Sequence, residues 1–325
     1  MGLRELCVAV FLLAAAIGCA VLISTHLGFA TVSSSPTAGA QQARPATLQA
    51  ALHAKLDAEI NRVADQVPGV CGYAIKDLTT GELFERNADI IFPTASSIKV
   101  TVLAELMRQA QEGKVNLEEE HTIHRSETVA GDPILYMLGD GTVTMTWRDI
   151  ATFMVVLSDN SATNMLIDRL GMDNVNAGIT RLGLTQTHLQ RHMIDLEAAR
   201  RGNENVSTPR ELSALLEKLW SGGPLDADHT KEYFRLLSLP KDSLFNKALP
   251  DTVPIADKPG ALEAVRCDTG IIQIPRHPYV MTVMTTYLAS EREGEESIER
   301  IARLVYDYFD RLARSSSVGR VISEK

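Results

Sequence analysis

Residues 92–100 read FPTASSIKV and stand where the sequence pattern changes from strands to helices. Before them, two strand-like runs at 70–76 and 82–86 flank a polar turn, which predicts a β-hairpin. After them, from about residue 96 to residue 249, apolar residues recur mostly at the three- and four-residue spacing of helices. The chain therefore passes from a small sheet into a helical region at FPTASSIKV.

Helical patterns lie near residue 50 and near the C-terminal end of the chain, and strand patterns return only late in the sequence. Residues 46–66 and 298–312 have apolar residues on one helical face. The late strand signals lie at residues 253–257, 270–274 and 279–287. We therefore predict an α/β (α+β) fold, with a five-stranded antiparallel sheet flanked by helices from both chain ends and an inserted helical domain over about 96–249.

The composition excludes several classes of protein. The 325 residues include 32 Lys and Arg against 41 Asp and Glu, a net charge of −9, and 45% are apolar. This composition excludes a disordered chain, a collagen and a multi-pass membrane protein. It also argues against a nucleic-acid partner, because phosphate binding requires a net basic surface.

The first 40 residues have the pattern of an export signal. Arg4 precedes an apolar run of 17 residues, 7–23, and residues 38–40 are the small residues that a signal peptidase requires. We expect cleavage before Gln41 and export to the periplasm or the medium. An uncleaved membrane anchor is the alternative, since 17 residues fall just short of a membrane span. A lipoprotein-like sequence at 16–19 is a weaker one.

These patterns divide the chain into a signal, a linker, one folded domain and a polar tail, at residues 1–40, 41–47, 48–314 and 315–325. Cleavage would leave Cys71 and Cys267 as the remaining cysteines. Both a disulfide and two buried thiols are compatible with an oxidising compartment. Two cysteines so far apart predict no zinc site, and we expect no metal and no cofactor.

Ser96 and Lys99 form the first candidate catalytic pair. They are three residues apart, which places them on one face near the start of a helix. Backbone N–H groups and the positive end of the helix dipole then lie beside the serine, and the lysine amine can accept its proton. Alone this S-x-x-K signal is weak, because an N-cap serine gives the same pattern.

Two further elements strengthen this interpretation. The tripeptide 158–160, Ser-Asp-Asn, lies between helical segments at 147–157 and 161–170, where a break can direct a hydroxyl and a carboxamide into a cleft. A plain turn is the alternative. The tripeptide 258–260, Lys-Pro-Gly, follows the strand at 253–257, where a lysine can hold a substrate carboxylate or simply protect a sheet edge.

The three elements, 62 and 100 residues apart, resemble the S-x-x-K, S-D-N and K-T-G motifs of class A β-lactamases and penicillin-binding proteins. The resemblance covers roughly residues 48–312, and the sheet with a helical insert is also the family's plan. It implies that Ser96 is the acylated nucleophile and Lys99 its proton acceptor. It further implies that Ser158 passes a proton to the leaving nitrogen.

The same resemblance implies how a substrate is held. Asn160 would bind the substrate amide and Lys258 its carboxylate, while the substrate lies along the backbone as far as Gly260. The backbone N–H groups of Ser96 and Ala261 would form the oxyanion hole.

The sequence departs from the family at the deacylating base. Aligning Arg191 with the arginine that opens the family's loop places Met193 where class A enzymes have a glutamate. Asp195 and Glu197 follow, and Glu197 falls where the family has an asparagine that touches the hydrolytic water. Glu197 is therefore the candidate substitute base, and an ordinary surface acid is the alternative.

A second departure is Pro259, which replaces a threonine or serine and removes one hydroxyl that would bind the substrate carboxylate. Proline there suits an edge strand, where its missing N–H can face away from the ladder. Neither departure affects acylation.

We therefore predict a monomeric serine hydrolase that acts through a Ser96 acyl-enzyme, a class A-like β-lactamase with slow deacylation. The substrate is a β-lactam or a peptidoglycan-like acyl compound, and a membrane is involved only if the signal is retained. A D,D-peptidase or esterase on the same scaffold, and a penicillin-binding protein that stays acylated, are the alternatives.

Overall fold

The computed structural model describes residues 47–130 and 134–321. The predicted signal at 1–40, nearly all of the linker and the last four residues of the tail lie outside these ranges. Among the described helices, none combines the length and the apolar composition that a membrane span requires.

The described helices are α1 (Leu48–Asp65), α2 (Lys99–Gln111), α3 (Trp147–Val156), α4 (Asn160–Leu170), α5 (Met172–Arg181), α6 (Leu196–Arg200), α7 (Pro209–Trp220), α8 (Ala227–Leu237), α9 (Leu244–Ala248) and α10 (Glu291–Arg314). The described strands are β1 (Val70–Asp77), β2 (Leu83–Arg86), β3 (Phe92–Pro93), β4 (Glu120–Ile123), β5 (Val143–Thr146), β6 (Val206–Ser207), β7 (Ile255–Leu262), β8 (Val265–Ile272) and β9 (Tyr279–Thr286). Short 3₁₀ turns lie at Ala95–Ile98, Arg125–Glu127 and Leu135–Met137.

As predicted, the main sheet has five antiparallel strands. Their order is β2-β1-β9-β8-β7. Two small two-stranded sheets, β3 with β6 and β4 with β5, accompany it. Within the described chain β7 is therefore an edge strand, which is where a proline can be accommodated.

The bounds of the first two of the three late predicted strands were wrong at both ends. We predicted 253–257 and 270–274, whereas β7 continues to Leu262 and β8 already begins at Val265. The strand pattern is not visible in the sequence here, because Lys, Pro, Gly, Arg and Asp interrupt the apolar alternation of this hairpin. The pairing between the two strands is nevertheless continuous. As a result Lys-Pro-Gly lies inside β7 rather than after a strand.

Alternate residues of β9 face two different cores. Met281 and Val283 pack with buried residues of α1 and α10, whereas Val280 and Met284 pack with the helices of the insert. This period of two is the geometry of a strand covered on both faces. The terminal helices therefore share one face of the sheet, as predicted, and the inserted helices cover the other.

Helix α2 is the centre of the inserted helices. Apolar residues on several sides of it, among them Val102, Leu103 and Leu106, are fully buried. A helix buried on all sides is a core element rather than an amphipathic surface helix. Its first residue, Lys99, is thereby placed inside the molecule, 1% exposed.

Candidate active site

Ser96 lies in the 3₁₀ turn that connects β3 to α2. The sequence predicted that Ser96 and Lys99 share one α-helix, whereas the α-helix begins only at Lys99. The difference arises because Ala95 adopts a left-handed backbone conformation, with φ of +47°, as the chain leaves β3. Residues three apart lie one above the other in a 3₁₀ turn, so Ser96 and Lys99 still lie on the same side of the turn. Such strain is typical of functional sites.

Lys99 joins the first motif to the second. Its Nζ donates to the carbonyl oxygen of Ser158 at 2.6 Å, to Oγ of Ser158 at 3.1 Å and to Oδ1 of Asn160 at 3.1 Å. These contacts bring together residues about sixty positions apart in the chain.

The break between α3 and α4 directs Ser158 into the site. Ser158 has a φ of +54°, and Asp159 caps α4 by accepting a hydrogen bond from the backbone N–H of Ala162 at 2.8 Å. The cap starts a new helix immediately after the strained residue. The predicted break is confirmed, with α3 ending one residue earlier and α4 beginning one residue earlier than expected.

Lys258 approaches the same hydroxyl from the sheet. Its ammonium lies 3.2 Å from Oγ of Ser158 and 3.0 Å from the carbonyl oxygen of Pro259. Burial lowers the pKa of Lys258 to about 8, although the negative charges of Asp268 and Asp257 oppose this effect. Oγ of Ser158 thus lies between the buried amino groups of two lysines.

Gly260 allows β7 to pass directly against the nucleophile turn. A Cβ atom at this position would lie 2.7 Å from the carbonyl oxygen of Thr94 and 3.0 Å from the backbone nitrogen of Ser97. Any side chain would therefore push the strand and the turn apart. The sequence analysis placed Gly260 beside the substrate but missed this packing requirement.

A cleft of about 420 Å³ joins these residues. Its lining includes Ser96, Ser158, Asn160, Gly260, Ala261 and Met193. Two acids, Asp242 and Glu295, also line it, and each forms an ion pair, with Lys247 and Arg266 respectively.

Met193 reaches the cleft from the loop 191–205. Asn164 accepts from the backbone N–H of Met193 at 2.8 Å and donates to its carbonyl oxygen at 3.2 Å. Arg191 closes the loop through an ion pair with Glu204 at 2.7 Å. Met193 is 6% exposed, so its side chain is a fixed part of the wall.

The structure does not bring Asp195 or Glu197 to this group of residues. Asp195 caps α6 by accepting from the backbone N–H of Ala198 at 2.9 Å. The side chain of Glu197 is 81% exposed, and its ion-pair partner is Arg201 at 3.5 Å. Neither acid is among the residues that line the cleft.

The two cysteines of the described chain are buried, free thiols. Cys71 lies on β1 and Cys267 on β8, with β9 between them. Strands two places apart are separated by more than a disulfide can span, which excludes the disulfide that the sequence left open. Among residues 47–130 and 134–321, no three His, Cys, Asp or Glu side chains are grouped so as to hold a metal ion.

The chain is similar in sequence to known β-lactamases. A model of the β-lactamase enzyme family matches residues 55–309. β-Lactamase CARB-4 of Pseudomonas aeruginosa is 25% identical over 250 residues, which cover 75% of this chain and 86% of the relative. β-Lactamase ROB-1 of Haemophilus influenzae is 26% identical over 279 residues, covering 84% and 90%.

Solved structures show the same fold. PBP-A is 26% identical with a TM-score of 0.72, covering 79% of this chain and 96% of its own. An ancestral class A β-lactamase is 25% identical with a TM-score of 0.72, covering 78% and 99%. A mutant of PBP-A, again 26% identical with a TM-score of 0.72 and covering 79% and 97%, was solved as an acyl-enzyme complex with penicillin G.

Proposed function

Because the chain belongs to the β-lactamase enzyme family, we propose that it hydrolyses β-lactams through an acyl-enzyme on Ser96 and releases the acyl group slowly. The chain is a serine hydrolase of the class A type. The observation that carries the acyl-enzyme proposal is the position of Oγ of Ser158, 3.1 Å from Nζ of Lys99 and 3.2 Å from Nζ of Lys258.

The contacts at Ser158 support a path for the proton during acylation. Ser96 Oγ attacks the lactam carbonyl while its proton passes to the neutral amine form of Lys99, one turn further along the chain. Lys99, now an ammonium, contacts Oγ of Ser158 and returns a proton to it as Ser158 delivers its own proton to the lactam nitrogen and the C–N bond breaks. Lys258 contacts the same hydroxyl and lies ready to bind the carboxylate of the substrate.

The negative charge that develops on the carbonyl oxygen is assigned to the backbone N–H groups of Ser96 and Ala261. Both residues line the cleft, and the close passage of β7 at Gly260 supports their proximity. Removal of one such donor from an oxyanion hole costs roughly 10²–10³ in rate.

Release of the acyl group is the step for which the cleft is least equipped. A positioned general base contributes roughly 10²–10⁴ in rate. The side chain of Met193 cannot act as such a base, because a thioether does not take a proton from water. Since Glu197 points to solvent, we assign the slow step to hydrolysis of the ester. The acyl-enzyme should accumulate.

A penicillin-binding protein that stays acylated is the second candidate function. Met193 favours it, and the likeness to PBP-A supports it. A D,D-peptidase or esterase would use the same residues for acylation. We also propose that the protein is exported and monomeric and uses no metal or cofactor, on the sequence patterns given above.

Intact-mass spectrometry after mixing with benzylpenicillin tests the proposal. We expect the mass to rise by one penicillin at Ser96 and to return over a much longer time. An adduct that never decays would establish the penicillin-binding function instead. A chain that takes up no adduct, or that turns over without accumulating one, would contradict the proposal.

A further inference from the structure

Behind the nucleophile turn lie two buried side chains that the mechanism above does not use, Ser97 and Cys267. The hydroxyl of Ser97 donates to the carbonyl oxygen of Lys258 at 2.9 Å, and Sγ of Cys267 lies 3.2 Å from the same hydroxyl oxygen. Ser97 is 0% and Cys267 1% exposed. Ser97 is therefore hydrogen-bonded to β7 and in close contact with β8.

The thiol of Cys267 is itself committed to the turn. Its sulfur lies 2.9 Å from the carbonyl oxygen of Thr94 and 3.6 Å from that of Gly260. Burial raises the pKa of Cys267 to about 12, so it is a neutral thiol with one hydrogen to donate. Thr94 is the nearest acceptor, and Cys267 thus holds the residue that begins the turn.

The contact between β7, Cys267 and the nucleophile turn is tightly packed. A Cβ atom at Gly260 would lie 2.6 Å from Sγ of Cys267, in addition to its close approach to Thr94 and Ser97. Strand and turn are thus packed backbone to backbone, with the thiol filling the remaining space. Loss of the sulfur atom of Cys267 will therefore affect both the strand and the turn.

We propose that Cys267 and Ser97 are positioning residues that lock the nucleophile turn against β7 and so set the spacing between the N–H groups of Ser96 and Ala261. The lock acts on elements that flank each donor: Ser97 follows Ser96, and Lys258 and Gly260 precede Ala261. The inference rests on the proposed function, because it assigns the lock to the oxyanion hole of that reaction.

Three variants test the lock. Cys267→Ala removes the donor to Thr94 and leaves a small void, whereas Cys267→Ser keeps a donor at the same place. Cys71→Ala is the matched control, because Cys71 is equally buried, at 3% exposed, but lies on β1. Each variant is measured for the rate of acylation by benzylpenicillin, the infrared carbonyl stretch of the acyl-enzyme, and hydrogen exchange of residues 94–98.

We expect Cys267→Ala to slow acylation about tenfold to a hundredfold, a fraction of the loss of a whole oxyanion donor, with little change in substrate affinity. The carbonyl stretch should move to higher frequency because its hydrogen bonds weaken, and exchange in 94–98 should quicken. Cys267→Ser should restore most of the rate. Cys71→Ala should change none of the three measurements.

The outcomes separate the two proposals. Unchanged hydrogen exchange in Cys267→Ala would overturn the lock itself, whether or not the protein takes up penicillin. Faster exchange with an unchanged acylation rate and carbonyl stretch would overturn its role in the oxyanion hole. A wild-type chain that is never acylated would overturn the proposed function and that role together, while the exchange data would still decide the lock.

Discussion

Two walls of the cleft differ in the charged groups that lie in or behind them. One wall of the cleft contains Ser158, and behind it lie Lys99 and Lys258, both 1% exposed and both bonded to its Oγ. A second wall is formed by the loop 191–205, which is held by Asn164 and by the pair of Arg191 with Glu204, yet it presents a methionine. Rigidity is therefore common to both walls, and proton-transferring groups are concentrated in one.

This difference indicates that making the ester and breaking it depend on separate parts of the molecule. Variants in the first wall should change the rapid phase of a reaction with penicillin, and variants in the loop should change the steady state that follows. The predictions below test this separation.

Ser96→Ala should have the largest effect, the complete loss of covalent labelling by penicillin. The N-cap residues of the 3₁₀ turn and of α2 are Thr94 and Ile98 rather than Ser96, so the midpoint of thermal unfolding should hardly move. Intact-mass spectrometry and a melting curve check both parts. An adduct on the variant would assign the nucleophile to another residue.

Lys99→Ala should slow acylation by roughly 10²–10⁴, the usual contribution of a positioned base. It should also lower stability by about 1–3 kcal/mol, because Ser158 and Asn160 lose a buried donor. Stopped-flow measurement of the rapid phase, with urea unfolding alongside, checks this. A rapid phase as fast as in the wild type would place the proton acceptor elsewhere.

Met193→Glu should accelerate the steady state by up to about 10², since it adds a carboxylate to the wall where the loop backbone is already fixed. Met193→Gln is the neutral control and should not accelerate it. Glu197→Gln should leave both phases unchanged, because that side chain lies in solvent. A slower steady state in Glu197→Gln would restore Glu197 as the base.

Deprotonation of Lys258 should give the smallest effect. As the pH rises through about 8, the affinity for substrates that carry a carboxylate should fall. The cause is loss of the ammonium charge, so neutral esters should show no such change, and Lys258→Ala should abolish the difference between the two classes. Values of KM from pH 6 to pH 10 check this. Equal pH dependence for both classes would make Lys258 structural.

The same group predicts the direction of a stability change. The pKa of Lys258 is about 8 in the folded chain, below the ordinary 10.5. Between these values the unfolded chain binds more protons than the folded one, so the contribution of Lys258 to stability rises with pH. Lys258→Met should remove this rise, which pH-dependent urea unfolding can measure.

The sequence predicted those parts of the fold that depend on regular patterns. The faces of α1 and α10 and the break before Asn160 follow from spacing and capping residues, and all are found as expected. The hairpin of β7 and β8 was misplaced because Lys258, Pro259 and Gly260 have no strand pattern; pairing with a neighbour, which no local pattern records, makes them a strand.

The site was predictable to the extent that motifs mark it. The three motifs were placed in one cleft, but the strain at Ala95 and the lock at Cys267 were missed, because each is created by contacts between distant segments. Cys267 is a small residue that pairs with Gly260 across a hairpin, and this pairing was the signal that could have indicated the close packing. Spacing alone also favoured Glu197, since it does not show which way a loop residue faces.

The strand that separates Cys71 from Cys267 has a consequence for how the chain can fold. With β9 between them, the folded domain offers the thiols no bond to each other, and their buried, neutral state makes them poor partners for an oxidant. Folding of the described ranges, 47–130 and 134–321, therefore requires no enzyme that forms or rearranges disulfides. The covalent structure of these ranges is the same on either side of a membrane that divides a reducing compartment from an oxidising one.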